Sequence, residues 1–171
     1  MKFLRSEFLK AVKESRIDKV EELLKNRKSC IKIKTKENEN CLHLVRSENI
    51  ARLLLKDDLV EVNGLTSQNI SPLFEACTSM NEPIIKLLLE DPRCDVNIPD
   101  THGVSPLMNM VNKISQGTRK YHNIFFHFLV SGRFINLNQK VTKTNVYFFK
   151  LYYFYIYIIS IQLFNKLGEL V

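Results

Sequence analysis

The chain has 171 residues, with 25 basic and 18 acidic side chains, 5 glycines and 4 cysteines, which is one domain's worth of sequence. Its cysteines, Cys30, Cys41, Cys77 and Cys94, form no C-x-x-C pair and no metal-ligand spacing. No glycine-rich phosphate loop, nucleophile elbow or paired Cys/His arrangement is present, so an enzyme gains no positive support and no cofactor or metal is expected.

In chain order, Met1 to Arg5 breaks off before any apolar run, so no signal peptide is expected. Phe8-Leu9-Lys10-Ala11-Val12 and Val20-Glu21-Glu22-Leu23-Leu24 predict a first pair of short helices. Cys41-Leu42-His43-Leu44-Val45 and Leu53-Leu54-Leu55, followed by Val62-Asn63, predict a second pair. Its inter-helix link is shortened, with Arg46 to Asn49 serving as the connection. The third pair carries the clearest signal. Ser71-Pro72-Leu73-Phe74-Glu75-Ala76-Cys77 returns 34 positions later as Ser105-Pro106-Leu107-Met108-Asn109-Met110-Val111. Between the copies lie Ile84-Ile85-Lys86-Leu87-Leu88-Leu89, Asp95-Val96-Asn97 and Asp100-Thr101-His102-Gly103. Ile124 to Leu129 and Gly132 to Asn136 complete a fourth unit, across an enlarged link, Ile114 to Asn123, with Gly117 as its turn residue.

A fixed period of this length marks a stacked helical repeat rather than a single-core globule. Pro72 and Pro106 suit the first turn of a helix, where the missing N–H would have no partner anyway. Ser71 and Ser105 before them are good N-caps. Leu73, Ala76 and Cys77, then Ile84, Ile85, Leu88 and Leu89, recur at helical spacing on segments too short to be stable alone. Each unit must therefore bury its apolar stripe against its neighbours. Gly103 stands where the chain turns tightly, a position suited to positive φ. Asn69 takes the matching place one unit earlier and tolerates that conformation better than most residues.

These motifs resemble the ankyrin repeat, whose pattern runs Thr-Pro-Leu-His-x-Ala-Ala, then Leu-Leu, then Asp-Val-Asn, then Asp-x-x-Gly. The resemblance implies an all-α solenoid of four repeats, at about 4–36, 37–69, 70–102 and 103–139, followed by a Tyr/Phe/Ile-rich tail at 140–171. It also implies a non-catalytic protein-interaction module. Partners of such arrays are held by the hairpin tips and by the exposed, concave side of each first helix. Carried onto this chain, the tips are Thr66, Ser67 and Gln68, with Pro99, Asp100, Thr101 and His102. The helix positions are Glu75, Thr78 and Ser79, then Asn109, Asn112 and Lys113. His43 falls on the family's histidine, whose ring is expected to bond backbone between repeats.

The net charge of +7 is unevenly spread. Residues 1–36 carry 12 basic and 5 acidic side chains, 37–112 carry 5 and 12, and 113–171 carry 8 and 1. The acidic middle disfavours nucleic acid and would favour a basic segment of a partner protein. His122 and His127 are five apart, about 140° around a helix, and do not share a face. Free thiols without an export signal point to a reducing compartment, the cytoplasm or nucleus.

The tail has three readings. Val146 to Phe164 would span about 28 Å as a helix, enough for a C-terminal membrane anchor. It would otherwise be an apolar cap on the fourth repeat, or a stretch translated past the last true exon boundary. With the tail capped or removed, a monomer is expected.

Overall fold

The computed structural model describes residues 2–26, 28–114 and 127, with side chains placed at 7–26, 30–110 and 127. Seven α-helices occur among them: α1 (Lys2–Lys13), α2 (Ile17–Asn26), α3 (Cys41–Leu44), α4 (Glu48–Leu55), α5 (Pro72–Ser79), α6 (Glu82–Glu90) and α7 (Pro106–Ile114). A 3₁₀ turn at Lys28–Lys32 follows α2. The described residues contain no strand. The fourth unit beyond α7, apart from the helical residue His127, and the whole tail at 140–171 lie outside the described residues. So does the proposed anchor at 146–164.

The helices form two rows. In one, α1 packs on α3, α3 on α5 and α5 on α7; in the other, α2 packs on α4 and α4 on α6. Within each pair, α1 packs on α2, α3 on α4 and α5 on α6. This is the stacked-repeat architecture that the 34-residue period predicts. The apolar positions read from the sequence are all interior: Leu73, Ala76, Cys77, Ile84, Ile85, Leu88 and Leu89 are each buried. Phe74 and Leu87 join them. A buried leucine or isoleucine contributes about 1.5–3 kcal/mol through apolar area removed from water. The core is thus a ribbon of aliphatic side chains running between the two rows.

The helix starts are built as their sequences indicate. Ser71 Oγ accepts from the Phe74 N–H at 3.2 Å, with Pro72 at the first helical position. Ser105 Oγ accepts from the Met108 N–H at 3.3 Å, with Pro106 opening α7. Asn40 does the same for α3, accepting from the N–H groups of Leu42 and His43. Each satisfies donors that the first turn of a helix leaves open.

The second pair differs from expectation in where it is short. The caps of α3 and α4, Asn40 and Ser47, are seven positions apart, whereas Ser71 and Asn81, the caps of α5 and α6, are ten apart. The missing residues come out of α3, which is one turn of four residues against eight in α5. The link itself is Val45 to Ser47, longer than Met80–Asn81, and Asn49 already belongs to α4. From Ser47 to Ser71 and from Asn81 to Ser105 the spacing is the same, so the register of the stack recovers at once. A hydrophobic period reports that residues are missing without saying which element lost them.

Three hairpins repeat one geometry. Thr35 N–H donates to Glu39 O, Thr66 N–H to Ile70 O and Asp100 N–H to Val104 O, all at 2.8–3.0 Å. At the same place in each turn, Asn38, Asn69 and Gly103 have φ of 65°, 60° and 77°. The positive φ expected at Asn69 and Gly103 is therefore present, and Asn38 extends the series. Asparagine does here what glycine does not. Asn38 Nδ2 donates to Leu65 O at 2.5 Å, and Asn69 Nδ2 donates to Pro99 O at 2.6 Å. Each carboxamide ties its hairpin to the next one along the stack.

A second tie joins the loops after α4 and α6. Asn63 Nδ2 donates to Arg93 O at 2.8 Å, and the Asp95 N–H donates to Asn63 Oδ1 at 2.8 Å. Arg93 reaches back to the end of α4, donating to Leu55 O at 2.6 Å and Asp57 O at 3.2 Å. Its guanidinium also forks onto Asp91, at 3.0 and 2.7 Å. That pairing holds the Arg93 pKa above its ordinary value, against the burial that lowers it. Carbonyls left open at a helix C-terminus are thus satisfied from the following unit.

The tip asparagine gives a graded test. Asn69→Gly keeps the turn but loses the bond to Pro99, costing about 1 kcal/mol. Asn69→Ala loses the bond and also holds a Cβ residue at positive φ, adding about 1–2 kcal/mol. Urea unfolding should rank the proteins wild type, then Asn69→Gly, then Asn69→Ala; equal midpoints for all three would remove the bridging role.

Candidate functional site

The surface left for recognition is set by which polar groups the stack has already used. Around Asn40, almost all are used. Asn40 is 2 % exposed. Its Oδ1 accepts from Leu42 and His43 N–H, and its Nδ2 donates to Glu61 O at 2.7 Å. The Asn40 N–H in turn donates to His43 Nδ1 at 3.1 Å. Nδ1 also lies 2.8 Å from Asn40 Oδ1, and Nε2 lies 3.0 Å from Ile70 O, a carbonyl that can only accept, so Nε2 is the donor there. The inter-repeat backbone contact expected of His43 is therefore present. Gly64 stands against this node. A Cβ there would lie 2.5 Å from Asn40 Nδ2, so glycine is needed for close approach.

Burial pushes the His43 pKa down, with the bond to Ile70 and the charge of Glu39 opposing and Lys34 adding to the fall. Burial likewise pushes the Cys41 thiol up to about 12. Its Sγ lies 3.7 Å from Ile31 O, and all four cysteines are free and buried. Cys41 and Cys77 are structural, as their places at a helix start and in a small slot imply. Among the described residues no group of three or more His, Cys, Asp and Glu is placed to hold a metal ion.

The thirteen surface positions carried over from the repeat pattern separate into three groups. Ser67, Gln68, Thr101 and His102 are exposed at the tips of the second and third hairpins. Thr66 and Asp100 are half-buried and spend their side chains on the turns themselves. Thr66 Oγ1 accepts from Gln68 and Ile70 N–H, and Asp100 Oδ1 accepts from His102 and Val104 N–H at 2.8 and 2.9 Å. Pro99 is half-buried and gives its carbonyl to Asn69. Thr66, Pro99 and Asp100 build the tips that Ser67, Gln68, Thr101 and His102 present.

On the helices, Glu75, Thr78 and Ser79 line one stripe of α5, half-exposed at Glu75 and exposed at the other two. Thr78 Oγ1 donates to Phe74 O at 3.0 Å and accepts from Asn109 Nδ2 at 2.9 Å, which joins the stripe to α7. Ser79 Oγ donates to Glu75 O at 2.9 Å. Asn112 and Lys113 fall within α7, three and four positions beyond Asn109. Glu75 sits 3.5 Å from Arg46 Nη2. Arg46 lies where α3 stops short, its Nη1 3.4 Å from the carbonyl oxygens of both His43 and Val45. The sequence reading missed Arg46, whose place depends on the lost turn of α3.

This arrangement revises the charge reading of the site. The two carboxylates among the thirteen, Glu75 and Asp100, are both engaged within the stack. Much of the acidic charge of the middle block lies instead at Glu90, the last residue of α6, and on the loops that leave α4 and α6, at Asp57, Asp58, Glu61, Asp91 and Asp95. The tips and the α5 stripe therefore offer hydroxyls, carboxamides and an imidazole in place of a negative field. Such a surface can recognise a partner by hydrogen bonding over a rigid frame.

A family model of ankyrin repeats, in three copies, matches residues 8–100. No curated protein matches the chain.

The His43 node sets a pH dependence. A histidine whose folded pKa lies below its unfolded value of about 6.5 binds its proton more readily when unfolded. Its contribution is fully present above that value and is lost as pH falls through the folded pKa. Unfolding free energy should decline from pH 7 to pH 5 in the wild type. His43→Gln should show a shallower decline; parallel slopes would show that His43 carries no linkage.

Proposed function

Since the chain belongs to the ankyrin repeat family, we propose that it is a non-catalytic adaptor that grips one partner protein through its hairpin tips and the exposed stripe of α5 and α7. Ankyrin repeats are in general protein–protein interaction modules. The observation that carries the finer reading is the fixed frame behind the tips. Asn38 and Asn69 lock successive hairpins together, and Ser67 N–H donates to Glu37 O at 2.9 Å between the first two. Ser67, Gln68, Thr101 and His102 are thus presented on backbone that needs little further ordering. Binding to a preorganised surface avoids much of the entropy cost that loops otherwise incur.

The polar character of those groups favours a partner segment rich in hydrogen-bonding side chains and backbone. A basic segment remains compatible with the acidic loops after α4 and α6, outside the tip surface. The four buried free cysteines support a reducing compartment, cytoplasm or nucleus, as the place of action. Among the described residues no helix is long and apolar enough to cross a membrane.

The test is affinity capture with the full chain, compared with variants carrying Ser67→Arg, Ser79→Arg or Thr101→Arg. These exposed positions tolerate a long side chain, so unfolding midpoints should shift by less than about 0.5 kcal/mol. The captured partner should be lost or weakened by roughly tenfold or more, since a bulky charge at an interface centre forces a mismatch. A partner held equally by all three variants would place the binding surface elsewhere.

A further inference from the structure

The sequence contains a single Asn-Gly pair, Asn63-Gly64, in the loop after α4. The pair ends a tight turn in which the Gly64 N–H donates to Glu61 O at 3.2 Å. Asn63 is exposed to water. Packing imposes the glycine, since a Cβ at 64 would lie 2.5 Å from Asn40 Nδ2. The fold thus sets a carboxamide beside a main-chain nitrogen whose own residue carries no side chain. An asparagine so placed is prone to cyclise. The following nitrogen attacks the side-chain carbon, and glycine hinders that close approach least.

In the stack both reacting groups are engaged. Asn63 Nδ2 donates to Arg93 O, and Asn63 Oδ1 accepts from the Asp95 N–H, each at 2.8 Å. These bonds hold the carboxamide against the loop after α6. Arg93 is itself fixed by its bonds to Leu55 O and Asp57 O. Ring closure turns the Asn63 side chain back onto its own main chain and releases Nδ2. It therefore needs the carboxamide to leave Arg93 O and the Asp95 N–H.

We propose that Asn63 is a deamidation site that the interface between the second and third repeats holds closed, with water as the co-reactant once that interface opens. Gly64 N forms a bond to Asn63 Cγ, the Cγ–Nδ2 bond breaks, and Nδ2 leaves as ammonia with the proton from Gly64 N. The product is a cyclic imide. Water then adds to either of its carbonyls, that carbon's bond to the ring nitrogen breaks, and the nitrogen regains a proton. Opening at Cγ gives aspartate at 63. Opening at the main-chain carbonyl gives isoaspartate, with the chain routed through the former side chain. Water is consumed and ammonia released, with nothing oxidised or reduced.

For the stack the change runs one way. A carboxylate at 63 still accepts from the Asp95 N–H but has no proton to donate, and it meets the Arg93 carbonyl oxygen acceptor to acceptor. It also adds negative charge to loops that already expose Glu61 and Asp95. An interface that stays open long enough to react does not regain its original tie. Because stability here is a sum over neighbouring interfaces, each such event loosens the second repeat from the third.

The test incubates the full chain in neutral buffer, with and without enough urea to unfold it. Mass spectrometry follows the peptide carrying residue 63, and chromatography separates its aspartate and isoaspartate forms. In the unfolded chain Asn63 should convert before any other asparagine. In the folded chain its conversion should be slower by about tenfold or more, since reaction then waits on a local opening. Arg93→Ala should speed the folded-state conversion by about fivefold or more, the rate equivalent of one hydrogen bond lost from the interface. Circular dichroism checks that its helices persist. If that variant does not fold, Asn63→Asp, which installs one product directly, decides the consequence: its urea midpoint should fall below the wild type's. Equal rates in folded and unfolded chain, another asparagine reacting first in urea, a folded Arg93→Ala chain reacting at the wild-type rate, or an Asn63→Asp midpoint equal to the wild type's would each overturn the proposal.

Discussion

Each described helix of this protein depends on the one beside it in the next repeat. The seven described helices run from four to twelve residues, at or below the length at which an isolated helix becomes marginal in water. The extreme is α3, a single turn that no helix propensity would sustain. It exists because Asn40 holds its first N–H groups, and because α1 and α5 close on it from either side. Stability in such a stack is a sum of weak units and strong interfaces. The inter-repeat bonds of His43, Asn63, Asn69 and Arg93 are therefore central, although none lies in the apolar ribbon. Each fixes the spacing at which the ribbon can close.

What could be read from the sequence was what is decided within a few residues. Ser71-Pro72 and Ser105-Pro106 announce helix starts because capping and the first-turn proline are local chemistry. Asn69 and Gly103 announce positive φ because few other residues adopt it cheaply. The seven buried apolar positions follow from period alone. The features that escaped are decided across a repeat. Arg93 finds the end of α4 at positions 36 and 38 residues away, and Gly64 is small because of Asn40, 24 residues earlier. Nothing in the vicinity of either residue signals its partner. The lost turn of α3 was assigned to the link for a related reason. A deletion between two caps leaves the same period wherever it falls, and packing decides which element gives way.

The surface was legible in outline and not in sign. Exposure at Ser67, Gln68, Thr78, Ser79, Thr101 and His102 follows from their place in the repeat. The use of Asp100 inside its own turn does not, because a carboxylate at a tip looks equally suited to a partner. The block of negative charge between 37 and 112 invites a basic ligand at the tips. Folding instead distributes those carboxylates by their position within each repeat. Since the repeats superpose one loop on the next, charges at equivalent positions gather along an edge, whereas sequence blocks mix several faces. In a solenoid, the unit for reading charge is the repeat position and not the stretch of chain.

The hairpin tips and the loops that leave α4 and α6 differ in character. The tips are polar, tied to one another by Asn38 and Asn69, and carry little net charge. Their specificity rests on where donors and acceptors stand, which a rigid frame can set. The loops that leave α4 and α6 are tied by Asn63 and Arg93 and carry exposed charge at Lys56, Asp58 and Asp95. Gly103 takes up the same turn as Asn69 with no side-chain carboxamide. Thr101 and His102 stand on a hairpin that Asn69 holds through Pro99.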